Sequence, residues 1–298
     1  MQIKKAEWRL AFRFHGDKKL YEDTDLLSSF KIIKNSLRYW CADPFLIEKD
    51  GTRYLFFELY DRLKRKGCIG YRILKPDGTY TKIKKVYEDD CHLSYPNVFC
   101  HLGNYYIVPE SSGGKSLYVL QAETFPNVWK KQKVLLDGTA LVDTTFLTYD
   151  GKQFMFTSPI VKDNVSALSI ATISTDGEFD KERVINPVLV DKSRARMAGN
   201  FIFEKDKIIR VSQDCSARYG GGLVFSQIMR LTETEYEEKE FARLSNHLKV
   251  QGKRFDGVHT YACDDCVECI DLKIEAKFNF VETIGFILQK LKRIFKRK

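Results

Sequence analysis

The sequence predicts an all-β fold, a five-bladed β-propeller followed by a C-terminal amphipathic helix, and three observations carry that expectation. A block made of a polar opening, an apolar strand, a tight turn and a second apolar strand recurs along the chain. The openings near Asp43, Tyr95, Asp143, Gly199 and His259 are spaced by 52, 48, 56 and 60 residues, close to the roughly 40–50 residues of a propeller blade. Phe and Tyr supply 36 of the 39 aromatic residues, which favours strands over helices.

Taken in order, AEWRLAFRF around Trp8 reads as a strand with no blade of its own. It is expected to join the last blade and so close the ring, leaving no exposed edge. Four hairpins follow: ADPFLIEKDGTRYLFFE (42–58), SYPNVFCHLGNYYIVPE (94–110), VDTTFLTYDGKQFMFTS (142–158) and AGNFIFEKDKIIRVSQD (198–214). Each joins β-branched and aromatic runs through a DG-like turn. The segments IGYRILKP, SLYVLQAE and ALSIATIS supply further strands for four-stranded blades. A weaker fifth copy, VHTYACDDCVECIDLK, covers 258–273. A β-sandwich is the alternative, but it lacks a long regular period. The expected division is a propeller over 1–275 and a basic amphipathic helix over 276–298.

Composition narrows the function classes. At 298 residues, 44% apolar and 30% charged, the chain is long enough for a sizeable folded core. The first residues carry charge throughout and contain no apolar signal-peptide run. Eight cysteines without such a signal are expected to be free thiols, and the expected compartment is cytoplasmic. Of the net charge of +9, residues 279–298 hold +5, so the rest carries only +4; this argues against a nucleic-acid-binding surface. No phosphate-binding glycine loop, HExxH or DxD triplet is present. Cys263, Cys266 and Cys269 would not face one point on a hairpin, so no metal site is expected there.

In a propeller the innermost strands surround a central channel, and their opening residues line one mouth of it. Asp43, His92, Tyr95, Asp143, Arg194, Arg196 and His259 are therefore expected to converge. Glu58 and Glu110 end the second strands of blades one and two. Arg210, Gln213 and Asp214 belong to RVSQD, followed by Tyr219 and three glycines. Alternation on a strand would put Arg194 and Arg196 on one face.

The strings RYWCADPFL, YLFFELY, HLSYPNVF, YYIVPES, ETFPNVW, VDTTF and RVSQDCSARYGG resemble the propeller domain of the glucosamine inositolphosphorylceramide transferase family and its bacterial relatives in surface-polysaccharide gene clusters. The resemblance covers roughly residues 8–272. More distantly, the pattern is similar to the five-bladed arabinanase and xylosidase hydrolases. That likeness implies a catalytic base at Asp43, in a DP motif, and a second carboxylate at Asp143. The acid of those hydrolases should fall near residue 200, where this chain has SRARMAGNFIF, with Arg194 and Arg196 and no carboxylate until Glu204. A glycosidase needs a protonated carboxyl for its leaving group, whereas a departing diphosphate needs cations, which arginine meets with a planar fork.

The resulting expectation is a glycosyltransferase of bacterial surface-polysaccharide assembly, using a nucleotide-sugar donor and a lipid-linked or oligosaccharide acceptor. Asp43, Asp143 and Glu110 are the expected catalytic group. Glu58, His92, Tyr95, Arg194, Arg196, Arg210, Gln213, Asp214, Tyr219 and His259 are the expected substrate contacts, with Arg194, Arg196 and Arg210 on the diphosphate. No cofactor is required and no motif supports a divalent metal. The alternatives are a glycoside hydrolase or phosphorylase of the same architecture, and a non-catalytic carbohydrate-binding propeller. In NFVETIGFILQKLKRIFKRK (279–298) apolar residues recur at three- and four-residue spacing and lysines and arginines crowd the end. This reads as an in-plane anchor on anionic lipid, placing the protein peripherally on the inner face of the plasma membrane.

Overall fold

A computed structural model describes residues 4–160, 167–174, 177–245 and 248–295. Five antiparallel sheets of four strands surround a central axis. Blade one runs Tyr39–Lys49, Thr52–Asp61, Lys66–Leu74 and Lys84–Tyr87 from the axis outward, and blade two Ser94–His101, Asn104–Glu110, Ser116–Thr124 and Val128–Asp137. Blade three holds Leu141–Tyr149, Lys152–Pro159, Ala167–Ile173 and Leu189–Val190; blade four holds Ile202–Glu204, Lys207–Asp214, Gly222–Leu231 and Tyr236–Leu244. Blade five is built from both ends of the chain. Tyr261–Cys263 and Val267–Lys277 pair with the N-terminal Lys4–Phe14, which carries Lys31–Ile32 at its outer edge. The Trp8 strand thus closes the ring as expected, pairing Trp8 with Lys273 and Phe14 with Val267.

The hairpins turn as their sequences dictate. Asp50 and Gly51 have φ of 50° and 72°, and Asp150 and Gly151 have 48° and 69°, the paired left-handed conformation of a tight turn that suits strand twist. Each of the first three blades also has an irregularity at the same place on its inner strand. Register shifts fall between Ala42 and Phe45, Ser94 and Asn97, and Val142 and Thr145. Within them Asp43, Tyr95 and Asp143 take φ of 51°, 41° and 53°. Bulges re-aim side chains, and three non-glycine residues held at positive φ mark a place where the surrounding structure imposes the backbone. Gly199 stands at the equivalent point of blade four with φ 135°, where a Cβ would run into the carbonyl oxygen of Tyr261. We expect Gly199→Ala to cost about 3 kcal/mol, seen as a lower urea midpoint at unchanged slope.

The core lies between blades. Its largest cluster packs Phe45, Phe56, Tyr95, Phe156 and Phe201 across blades one to four, and a second joins blades four and five through Val211, Phe225, Tyr261 and Ile270. The C-terminal helix, Phe280–Phe295, follows the last strand. Lys296, Arg297 and Lys298, part of the expected basic tail, lie outside the described residues. No helix among the described residues is long and apolar enough to cross a membrane.

Candidate active site at the channel mouth

The bulges turn the opening residues of the blades onto the axis, where they form a connected polar cluster. Asp43 is buried; its carboxylate accepts from the Tyr95 backbone N–H at 3.0 Å and from Thr260 Oγ1 at 2.9 Å. The ring of His259 approaches the same carboxylate, Nε2 to Oδ1, at 3.4 Å. On the other side of His259, Nδ1 lies 2.5 Å from Asp271 Oδ2, a charge contact set off the N–H direction. Asp271, fully buried, accepts further N–H bonds from Asp43, His259 and Thr260. Trp8 stacks on the His259 ring at 3.8 Å and 11°. Burial works against a charged His259, but Asp271 and Asp43 outweigh it and raise its pKa to about 9. Burial also lifts the Asp43 carboxyl to about 7, against the pull of His259.

Opposite stands a second cluster. Arg196 Nε donates to Asp143 Oδ2 at 2.7 Å, with Nη2 in ion-pair contact at the same distance, and Gln213 Nε2 donates to the same oxygen at 3.1 Å. The Arg196 guanidinium also lies 5.2 Å from the centre of the Tyr219 ring, within cation–π range. Glu110 accepts from the Asp143 backbone N–H at 3.3 Å and from Ser112 Oγ at 2.8 Å. Burial and the neighbouring Asp143 charge push Glu110 up to about 7, with Arg196 opposing. At the blade-one side, His92 Nδ1 accepts the Gly67 N–H at 3.0 Å, so Nε2 carries the proton and faces Glu58 Oε1 at 3.3 Å. Burial disfavours the charged ring there, yet Glu58 raises its pKa.

The structure therefore brings Asp43, Glu58, His92, Glu110, Asp143, Arg196, Gln213, Tyr219 and His259 to one mouth, and separates four other expected residues from it. Tyr95 floors the channel and is not open to a ligand: its hydroxyl meets Thr145 Oγ1 at 2.8 Å and accepts the Gly199 N–H at 2.8 Å, closing the axis from blade two to blade four. Arg210 is fully buried. Its Nε and Nη2 grip both oxygens of Glu238 at 2.7 and 2.6 Å, and Nη2 also donates to the Arg194 carbonyl. It braces the fold and cannot reach a diphosphate. Asp214 caps the turn at Ser216 and pairs with Arg243. Arg194 and Arg196 do not share a strand face, because 192–194 is a turn. Arg194 folds back to Asp191 at 3.0 Å, and Arg196 alone enters the mouth.

Sequence reasoning missed Asp271, Thr260 and the mouth role of Trp8. A charged residue inside the apolar run CIDLK was the available signal for Asp271, since an interior strand position tolerates a carboxylate only with partners. It also missed Trp40 and Tyr60, which stack at 4.5 Å on the blade-one rim, with His92 6.2 Å from Tyr60. Asp43, His259 and Asp271 are the one group of potential metal ligands among the described residues. Their oxygens already accept four backbone N–H groups, and His259 holds a proton between two carboxylates. Protonated, the His259 ring has no lone pair to offer, so the set is a buried ion cluster and does not fit a resident cation. The three cysteines of CDDCVEC diverge, one half-buried, one exposed and one buried, and all eight cysteines are free.

The five-bladed ring is a fold that solved glycoside hydrolases share. A thermostable family-43 glycoside hydrolase superposes with a TM-score of 0.55 at 14% identity, covering 81% of this chain and 91% of that one. An exo-1,5-alpha-L-arabinanase from a bovine ruminal metagenomic library gives 0.52 at 10% identity, over 83% and 96%. At these identities the likeness concerns the fold alone. The sequence family is narrower. The profile described as "Glucosamine inositolphosphorylceramide transferase 1, N-terminal" matches residues 31–266, and the chain belongs to that family. Glucosamine inositolphosphorylceramide transferase 1 of Oryza sativa subsp. indica is 33% identical over 203 residues, 66% of this chain and 27% of the relative. The Arabidopsis thaliana protein of the same name is 32% identical over 206 residues, 67% and 27%. The chain thus spans about a quarter of the length of these curated relatives.

Proposed function

We propose that the mouth transfers a sugar from a nucleotide-sugar donor to a lipid-linked acceptor. The observation that carries this reading is Arg196, a charged guanidinium held between Asp143 and Tyr219 in the mouth, in the segment where the resemblance to propeller hydrolases would place their acid. In the proposed reaction the acceptor oxygen bonds to the anomeric carbon as the bond from that carbon to the diphosphate oxygen breaks. Asp43 takes the acceptor hydroxyl proton as general base, and the nucleoside diphosphate leaves with its new charge facing Arg196. Asp143 and Glu110 position the sugar, with Glu58, His92, Gln213 and Tyr219 around it. His259 steadies the Asp43 carboxylate. The names of the plant relatives support a glycosyl donor and an inositolphosphorylceramide-like lipid acceptor. A lipid-linked intermediate of bacterial surface-polysaccharide assembly fits the same chemistry. An acceptor in a membrane is consistent with a protein held peripherally on lipid by its C-terminal helix, on the cytoplasmic face.

One observation favours a second reading. Glu110, lifted to about 7, is protonated in about half of the molecules at neutral pH and has the character of a general acid, which hydrolysis or phosphorolysis of a glycoside requires. The two readings differ in pH dependence. With Asp43 as base and no acid, kcat/KM rises as pH climbs through about 7, where Asp43 loses its proton, and then stays level. With Glu110 as acid, the rate falls again as Glu110 deprotonates, giving a narrow bell centred near 7. The direct test is incubation with nucleotide sugars and a lipid acceptor, following glycolipid and free sugar by mass spectrometry. Glycolipid with a level alkaline limb is expected; free sugar with a bell would sink the transferase reading.

A further inference from the structure

The C-terminal helix is amphipathic, but its docked side is the polar one. Its start is capped reciprocally: Glu282 N–H donates to Asn279 Oδ1 and Asn279 N–H to Glu282 Oε2, both at 3.0 Å, a capping box in geometry. Glu282 also enters a buried ion cluster with Lys5, Glu7 and Arg62. Gly285 lies so close to the propeller that a Cβ would stand 2.6 Å from the Arg62 and Leu63 carbonyl oxygens. Gln289 Nε2 donates to the Lys64 carbonyl at 3.4 Å. At about 100° per residue, positions 282, 285 and 289 form one stripe. Phe280, Ile284 and Ile287 project from the opposite side and are between 44% and 65% exposed.

The place of docking matters as much as the side. The turn at 61–66 follows the strand whose Glu58 pairs with Ala42, beside Asp43, so that turn stands at the mouth end of blade one. Lys5 and Glu7 stand at the same end of blade five, next to Trp8, which covers His259. Leu37, 66% exposed, continues the apolar surface, and its carbonyl accepts from Asn279 Nδ2 at 3.0 Å. Lys64, Arg65 and Lys290 flank it, Arg65 lying over Phe286 at 5.2 Å. Between the helix and the mouth-side loops of blade one runs an open groove of about 900 Å³, lined by Leu63, Leu288 and Leu291 and by the charged Lys66, Glu88 and Asp90.

We infer that the helix is a fixed float that seats the mouth-bearing face of the propeller on an anionic bilayer, so that the active site opens against the lipid surface. The inference deepens the proposed function and rests on its reading of a lipid acceptor. A bilayer is the occupant that the patch fits. An apolar stripe flanked by cations matches apolar chains beneath anionic headgroups. In sequence, Lys292, Arg293, Lys296, Arg297 and Lys298 follow. The ion cluster holds the helix to the propeller and sets the orientation.

The test uses the full chain and vesicles of phosphatidylcholine with phosphatidylserine, and needs no turnover. The native Cys100 and Cys266 are exposed and sit at the hairpin ends remote from the mouth. A Leu37→Cys variant adds an exposed thiol on the mouth face. With vesicles, a water-soluble maleimide followed by peptide mass spectrometry should label Cys100 and Cys266 unchanged and Leu37→Cys at least about tenfold more slowly. Ile284→Asp with Ile287→Asp, both exposed positions, should reduce co-sedimentation by a similar factor. Failure to sediment overturns the inference, as does protection of Cys100 and Cys266. Equal labelling of Leu37→Cys with and without vesicles also overturns it, and so does protection without lipid, the sign of a second copy on the patch. None of these outcomes depends on which sugar reaction the mouth performs, and the glycolipid assay judges that reaction separately.

Discussion

Asp43→Asn is expected to lower turnover by about 10²–10⁴-fold, the range for loss of a positioned general base, with the fold retained. The amide keeps a carbonyl oxygen for the Tyr95 N–H, and replacing a carboxyl that burial has pushed up to about 7 removes a charge the site is reluctant to hold. Donor binding, measured by titration calorimetry, should change little, because Asp43 faces the acceptor in the proposed arrangement. A variant with near wild-type turnover would remove Asp43 from the chemistry. Unaltered glycan binding in a wild type without turnover on any donor would make the propeller a binding module.

The second large effect is expected at Arg196. Arg196→Ala leaves Asp143, buried, with only the Gln213 amide on Oδ2. Breaking a buried ion pair from one side costs about 3–5 kcal/mol, because the remaining charge is uncompensated. About 3 kcal/mol is expected here, since the Arg196 side chain is 19% exposed and the mouth admits water. Nucleotide-sugar affinity should fall by roughly 10–100-fold, the value of a hydrogen bond to a charged group. Urea unfolding without ligand isolates the first effect, and calorimetric titration of the folded variant isolates the second. Undiminished donor affinity would leave Arg196 a structural partner of Asp143 and end its assignment to the diphosphate. Removing Arg194 should do much less, because it pairs with Asp191 at the rim.

These two arginines show where sequence reasoning stopped. Their alternation would place them on one face if the segment were a strand, and the chain instead turns at 192–194. One arginine is sent to the rim and the other inward. The RVSQD string puts Arg210 among the expected diphosphate contacts. Its strand position is right, but it faces the space between blades, where Glu238 neutralises it. Whether a strand residue faces a channel or a neighbouring blade depends on ring closure, which local alternation does not contain.

By itself the sequence determined the number of blades, the tight turns, the closing strand at Trp8 and the opening positions at Asp43, Tyr95, Asp143 and Gly199. Each of these is written in residues a few positions apart, where apolar alternation and turn chemistry act. Tertiary structure alone decided that Asp271 and Thr260 complete the Asp43–His259 cluster, over separations of 228 and 217 residues. It also decided that Tyr95 seals the floor and that the C-terminal helix docks by its polar stripe at the mouth. Those outcomes depend on which groups compete for a buried partner once the ring has closed. Burial makes such partners obligatory, and only the closed ring determines which side chains are near enough to serve.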